Sequence, residues 1–253
     1  TNAARLEEAF LERIGALPAD VLQVLRLSAV MGSPLPLDIA IRASAQSPDQ
    51  VSRAIAQLRS EYLLRAATRA AEHGSTSDNI QAVEPYHDRV RETVRERLTP
   101  AQRKELHLQL ALALEARIAP DTESLAFHFE RAGHVDKTFQ YALDAAANAT
   151  KALAFERAAR FYRQALETKP VVGEQRQALY RQLGEVLANG GRGEESGRAF
   201  LEAADCASPA DKRELQIRAV AQLLRSGNTQ DGVQLLREQL AALGLRYPET
   251  PRE

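Results

Sequence analysis

The sequence predicts a mainly α-helical protein with one small β-hairpin in its first third and stacked helical hairpins after it. Three observations predict this class. Alanine, leucine, arginine and glutamate dominate the 253 residues, while Gly and Pro number only 13 and 11, a composition that favours helix. Apolar residues recur at helical spacing through most of the chain. A period of about 34 residues runs through the second half.

The first 98 residues are predicted to form one domain of helices closed by a hairpin. Ser47 is an N-cap residue with Pro48 in the first helical turn after it, and Pro18 sits where an earlier helix would start. Thr99 and Pro100 cap the helix that follows this domain in the same way as Ser47 and Pro48. A polar turn at 72–79 separates two short apolar runs, which is typical of a hairpin. Helices followed by a hairpin in this order predict a winged helix. The helices and strands are predicted at 3–17, 18–31, 37–43, 48–62, 63–68 and 80–83.

A winged helix suggests DNA binding, but the charges of this domain argue against it. Eight arginines and eight acidic residues lie between residues 47 and 97, so their sum is zero. A protein that binds phosphates normally carries a surplus of basic residues. Nucleic acid is therefore not the expected partner, and a DNA-binding regulator ranks last among the alternatives.

The segment 84–92 joins the hairpin to the next helix and reads Glu-Pro-Tyr-His-Asp-Arg-Val-Arg-Glu. Apolar residues then recur every four positions, which predicts an amphipathic helix opened by a buried pair, His87 and Asp88. A winged helix of neutral charge with this junction resembles the winged-helix domain of STAND signalling ATPases. The resemblance covers about residues 6–98, with Tyr86 where the family has methionine.

The resemblance implies that His87 senses the diphosphate of ADP held by an upstream nucleotide-binding domain in cis, while Asp88 orients the ring or caps the helix. An imidazole at a helix start is able to donate to a phosphate. The sequence lacks a Gly-x-x-x-x-Gly-Lys-Ser/Thr loop, so no cofactor is expected here and ADP or ATP is implied only for the upstream domain. Alternatively, His87 is a structural residue and Asp88 an acid favoured by the helix dipole.

Residues 99–253 are predicted to form repeats that resemble tetratricopeptide repeats (TPRs), stacked into a right-handed α-solenoid. The clearest unit, 177–210, has Gly184 and Phe200 at TPR spacings, with Ser196 where alanine is usual. Small residues at helix crossings let backbones approach, and aromatic residues fill the gap to the next hairpin. The other two clear units are predicted at 139–172 and 213–246.

Arrays of this kind bind proteins or peptides along the concave face that the first helix of each hairpin lines. In the clearest unit that face presents Arg181, Glu185 and Asn189. A protein or peptide partner is therefore predicted there. Two alternatives are that these residues are only solvated surface, or that the array holds the upstream ATPase closed until an effector displaces it.

No combination of residues points to catalysis or to a metal site. His128 and His134 are six apart, a poor helical spacing for two ligands, and the single cysteine, Cys206, lies among alanines. No serine stands in a Gly-x-Ser-x-Gly turn. The segment is therefore expected to be non-catalytic and free of metal.

The net charge of −1 and the single cysteine predict a cytoplasmic protein. No apolar run approaches the roughly 20 residues that span a bilayer, so no membrane partner is expected. Because the chain starts without methionine and ends without a terminal signal, we expect a piece of a longer protein.

Together these features predict a non-catalytic regulatory segment of a bacterial signal-transduction ATPase, one associated with a kinase or a transcriptional regulator. Effector or partner binding on the repeats would be coupled to the nucleotide state of the upstream domain. The main alternative is a stand-alone TPR adaptor whose winged helix only packs.

Overall fold

The computed structural model describes residues 12–67 and 81–247. Most of them are helical, and the strands form one small antiparallel sheet, so the prediction of a mainly α protein is confirmed. The chain divides into two compact units between His134 and Val135. The predicted hairpin tip at 72–79 and most of the predicted first helix at 3–17 lie outside the described residues.

The first unit contains short helices and strands followed by a helical hairpin. Ser47 and Thr99 each accept a hydrogen bond from the backbone N–H three residues on, and the glutamine at that position returns one. These reciprocal bonds, with proline at the first helical position, fix both helix starts, as predicted. The elements are α1 Ala19–Met31, β1 Leu35–Pro36, α2 Leu37–Ser44, α3 Pro48–Ser60, β2 Leu64–Ala66, β3 Ala82–Pro85, α4 Asp88–Glu96, α5 Pro100–Glu115 and α6 Thr122–Ala132.

The sheet has the strand order β1-β3-β2. Leu64 pairs with Pro85 and Leu35 pairs with Val83, both antiparallel. The two predicted hairpin strands are therefore present as β2 and β3, shifted by one or two residues. Strand β1 was not predicted, because two residues are too short to show an alternating pattern.

Helix α1 is the centre of the first unit. Its residues Val24, Leu25 and Leu27 have no exposed surface, and it contacts α2, α3, α4 and α5 as well as the sheet. A helix covered on nearly every side is apolar all round. Helix α1 therefore supplies the core on which the shorter elements pack.

Helix α5 packs against α1 and α2, so the first compact unit includes residues beyond 98, where the sequence predicts the end of the winged-helix domain. Gln23 donates to Gln109 at 2.9 Å, and Arg117 forms two bonds to Asp38 at 2.9 and 3.0 Å. The apolar face of α5 has the period of any amphipathic helix. The sequence alone therefore does not show which unit that face packs against.

Within residues 135–247 the second unit has six helices joined by short connections, so that consecutive helices run antiparallel. Its most extensive contacts are all between helices that are neighbours in the sequence. Such a chain of local contacts is what stacked helical hairpins produce. The helices are α7 Val135–Lys151, α8 Phe155–Thr168, α9 Gly173–Asn189, α10 Gly193–Asp205, α11 Pro209–Arg225 and α12 Thr229–Ala242.

Glycine allows the helices of the second unit to approach closely. A Cβ on Gly184 of α9 would lie 2.9 Å from the ring of Phe200 on α10, and one on Gly197 would lie 2.8 Å from Leu223. At the first crossing Ser196 Oγ, fully buried, donates to the carbonyl of Gly184 at 2.7 Å. Gly184 and Ser196, both singled out in the sequence, thus lie at a helix crossing.

None of the helices within the described residues is long and apolar enough to cross a membrane.

Candidate functional site

His87 is the N-cap residue of α4. Its carbonyl accepts the backbone N–H of Val90 at 3.0 Å, and its side chain makes no capping bond. The side chain is exposed, so the prediction of a buried pair is wrong. The physical reason is that Val90, Thr93 and Val94 supply the buried face of α4, which leaves its polar first turn in water.

The imidazole of His87 is the end of a row of aromatic rings. It packs edge-on against Tyr86, with 4.7 Å between ring centroids, and Tyr86 packs edge-on against Tyr62 at 5.6 Å. Tyr62 is 67% exposed. These contacts restrict the ring of His87, whose exposed side chain makes no hydrogen bond or ion pair with the described residues.

Asp88, also exposed, directs its carboxylate to Arg91. Its Oδ1 lies 2.9 Å from Arg91 Nη1, a pairing one helical turn apart. As the first residue of α4 it also meets the positive end of the helix dipole. The contacts of Asp88 therefore match those of an acidic residue in the first turn of a helix. Its hydrogen bond goes to Arg91 and not to the ring of His87.

The predicted partner-binding residues Arg181 and Glu185 belong to a ring of four charges across α9 and α11. Arg218 contacts Glu185 at 3.0 Å and Glu214 at 2.9 Å. Arg181 contacts Glu214 at 3.2 Å and Glu185 at 3.7 Å. These side chains are 37–50% exposed, so each pair is worth less than about 1 kcal/mol. The ring fixes register more than it adds stability.

The ring also gives the direction of the two helices. Arg181 and Glu214 are 33 residues apart, and so are Glu185 and Arg218. Equal offsets at two successive turns mean that α9 and α11 run parallel. Equivalent positions of the two hairpins therefore face each other across the space between these helices.

An open groove of about 370 Å³ lies between α9 and α11. Phe200 and two alanines, Ala188 and Ala221, form its apolar part. Glu185 and Asn189 also line it, so two of the three predicted residues reach the groove, and Arg181 lies one turn before them. The remaining lining residues are Arg218, Gln222 and Arg225.

Three polar side chains of the groove, those of Asn189, Gln222 and Arg225, make no hydrogen bond or ion pair with the described part of the chain. Sequence reasoning found Asn189 and missed the other two. The 33-residue offset of the ion pairs would have found Gln222, because it is the equivalent of Asn189 in the next hairpin.

The first unit contains a buried histidine pair that the sequence did not reveal. His107 Nδ1 of α5 lies 2.9 Å from His128 Nδ1 of α6, and the two residues are 8% and 1% exposed. His128 also donates to the carbonyl of Met31. A neutral His128 has one proton, so His107 donates in the bond between the rings.

The surroundings of this pair are cationic. Burial, followed by the charges of His128, Arg131 and Arg95, lowers the pKa of His107 to about 3. Burial lowers the pKa of His128 to about 4, although its bond to Met31 acts in the opposite sense. Both rings are therefore neutral at pH 7.

Within residues 12–67 and 81–247 no three metal-ligating side chains lie close enough together to hold an ion. The pair completes the packing of α6 on α5, with Phe127 edge-on to both rings.

Comparison with family models finds no match, and comparison with curated proteins finds none either. A solved structure, described as the crystal structure of BtubC (BKLC) from P. vanneervenii, matches with a TM-score of 0.34 and 17% identity. The match covers 65% of this chain and 83% of that chain. A TM-score this low carries no argument about this protein.

Proposed function

We propose that residues 12–98 form a winged helix of the kind found in STAND signalling ATPases. The support is the arrangement of α1, α2 and α3 ahead of the β2–β3 hairpin, with β1 pairing on the other edge of β3. The position of His87 immediately after β3, at the start of α4, agrees with the resemblance in the sequence.

The second unit is, in this proposal, a TPR-like array. Three features support it: the run of antiparallel hairpins, the packing of Phe200 on Gly184, and ion pairs that link successive hairpins at an offset of 33 residues. All three depend on a repeat of about 34 residues.

The function we propose is that of a non-catalytic regulatory segment. A partner bound on the array would change how the first unit grips a nucleotide held by an upstream domain, and His87 would make the contact to the phosphate. The observation that carries this proposal is the exposed, unbonded side chain of His87 at the start of α4. The side chain is therefore free to bond with a group that another domain supplies.

The test is an ADP titration by calorimetry on the longer protein that includes the upstream domain. Replacing His87 by alanine is expected to weaken ADP binding about tenfold or more, because a charged hydrogen bond to phosphate is worth roughly 1.5 to 3 kcal/mol. His87→Gln keeps a donor and is expected to lose less.

His134→Ala is the matched control for this titration, since His134 is an exposed histidine away from the row of aromatic rings. Equal ADP affinity in wild type and in a folded His87→Ala protein would remove the nucleotide-sensing role.

A stand-alone adaptor is the second candidate. The groove between α9 and α11 favours it, because a partner is able to bind there without any nucleotide. DNA binding is the third, and fluorescence anisotropy with random duplex DNA at low salt separates it from the others. Because the charges of this domain sum to zero, we expect no binding of the duplex DNA. Micromolar binding that falls steeply with salt would instead favour the DNA-binding regulator.

A further inference from the structure

Asn189 and Gln222 form a matched pair of amides along the groove. They occupy equivalent positions on the parallel helices α9 and α11, and both line the groove. Neither side-chain amide makes a hydrogen bond within the described chain. A side-chain amide donates and accepts at once, as a peptide group does. Each is therefore able to bind one peptide unit of a chain laid across the two helices.

An extended chain suits two amides on neighbouring parallel helices. A polyproline II backbone makes no internal hydrogen bonds. Its N–H and C=O groups are therefore free to bond with Asn189 and Gln222.

The charge of the groove selects the side chains of such a peptide. Arg218 is neutralised by Glu185 and Glu214, whereas Arg225 has no acidic partner within the described residues. The uncompensated charge is therefore positive. A guanidinium matches a peptide carboxylate, which it is able to bind through two parallel hydrogen bonds.

The apolar part of the groove limits the size of the remaining side chains. Phe200 is 3% exposed, so it offers little surface to a ligand, and the alanines beside it leave room without forming a deep pocket. Small aliphatic side chains fit this surface better than aromatic ones.

We propose that the groove between α9 and α11 binds an extended acidic peptide, whose backbone is held by Asn189 and Gln222 and one of whose carboxylates is held by Arg225. This inference rests on the proposed function of the second unit as a protein-binding array, and it adds the chemical class of the partner.

The test uses the whole chain and two fluorescein-labelled octapeptides, one alternating glutamate with valine and one alternating lysine with valine. Anisotropy at low salt is expected to show saturable binding of the glutamate peptide and at least tenfold weaker binding of the lysine peptide. Asn189→Ala and Arg225→Ala are each expected to weaken binding about fivefold, since one such bond contributes about 1 kcal/mol.

Two control variants remove an amide and a guanidinium at positions away from the groove. Gln182→Ala lies on α9 and Arg213→Ala lies on α11, both at exposed positions that do not line it. Both controls are expected to bind as the wild type does. Exposed polar positions of this kind tolerate alanine with little loss of stability, so circular dichroism should show all four variants folded.

Equal binding of the two peptides would overturn the acidic class, and so would a failure of the glutamate peptide to bind. Binding of the glutamate peptide that Asn189→Ala leaves unchanged would overturn the backbone contact. The ADP titration judges the regulatory proposal separately, because His87 lies in the first unit and the groove in the second. A loss of ADP affinity of about tenfold in His87→Ala together with no peptide binding would remove only the present inference.

Discussion

Lowering the pH from 8 to 5 is expected to cost the first unit about 4 kcal/mol of its free energy of unfolding. Burial holds the pKa of His107 at about 3 and that of His128 at about 4, whereas an unfolded histidine titrates near 6.5. Below pH 6.5 the unfolded chain therefore binds more protons than the folded chain. The stability contributed by the pair is complete above that pH and falls as the pH drops.

The magnitude follows from the distance between pH 5 and the unfolded pKa. That distance is about 1.5 units, which is worth about 2 kcal/mol for each histidine. The structure offers no carboxylate among the groups acting on the pair: the charged neighbours are Arg131 on the same helix as His128 and Arg95 on α4, and the remaining contact is the Met31 carbonyl of α1. A proton added to either ring would therefore be repelled.

Urea unfolding followed by pulsed hydrogen exchange measures this effect, since peptides from α5 and α6 report on the first unit separately from the second. The double variant His107→Leu/His128→Leu is expected to lose the pH dependence between 5 and 8. His87→Ala, which removes an exposed histidine, is expected to keep it.

If the double variant does not fold, His107→Gln alone keeps a donor to His128 and should lose about half of the pH dependence. A midpoint of unfolding that stays constant from pH 8 to pH 5 in the wild type would contradict the account of the pair.

The sequence predicted local structure well where one residue decides it. Ser47 and Thr99 mark helix starts because a capping hydroxyl bonds a backbone N–H three residues away. That information is contained in four consecutive residues. Gly184 and Phe200, which the sequence singles out by their spacing, also contact each other.

The sequence did not show which residues of different helices contact each other. His107 and His128 are 21 residues apart on two helices, and neither position shows a pattern that would pair it with the other. The exposure of His87 was missed for a similar reason, because the period of the apolar residues in α4 describes its buried face and not its first turn. In the groove, Arg225 lacks an acidic partner in the described chain, whereas Arg218 has two, a difference that only the structure shows.

Breaking the contact between Gly184 and Phe200 is expected to cause the second large loss in the free energy of unfolding. Phe200 is buried with Ala203, Ala204, Leu215 and Ala219 in the core between hairpins. Removing its ring leaves a cavity, and Phe200→Ala should destabilise the second unit by about 3 to 5 kcal/mol. Urea unfolding with pulsed hydrogen exchange on peptides from α9 to α11 measures this loss.

Gly184→Ala tests the same contact from the other side. The added methyl would lie 2.9 Å from the ring of Phe200, so the ring must shift, and overpacking of this kind costs about 1 to 3 kcal/mol. In the Phe200→Ala background the methyl meets space in place of the ring, so Gly184→Ala should then cost little or stabilise. The difference is a coupling energy that the double-mutant cycle isolates.

Gly15→Ala is the matched control, because that glycine is helical and a Cβ there meets nothing within 4 Å. It is expected to be neutral or to stabilise by up to about 1 kcal/mol through helix propensity alone. Additive costs for Gly184→Ala and Phe200→Ala would mean that the two residues do not pack on each other. A repeat that stacks through glycine–aromatic contacts predicts coupling, and the same cycle would then measure how tightly α9 is held on α10 beside the groove.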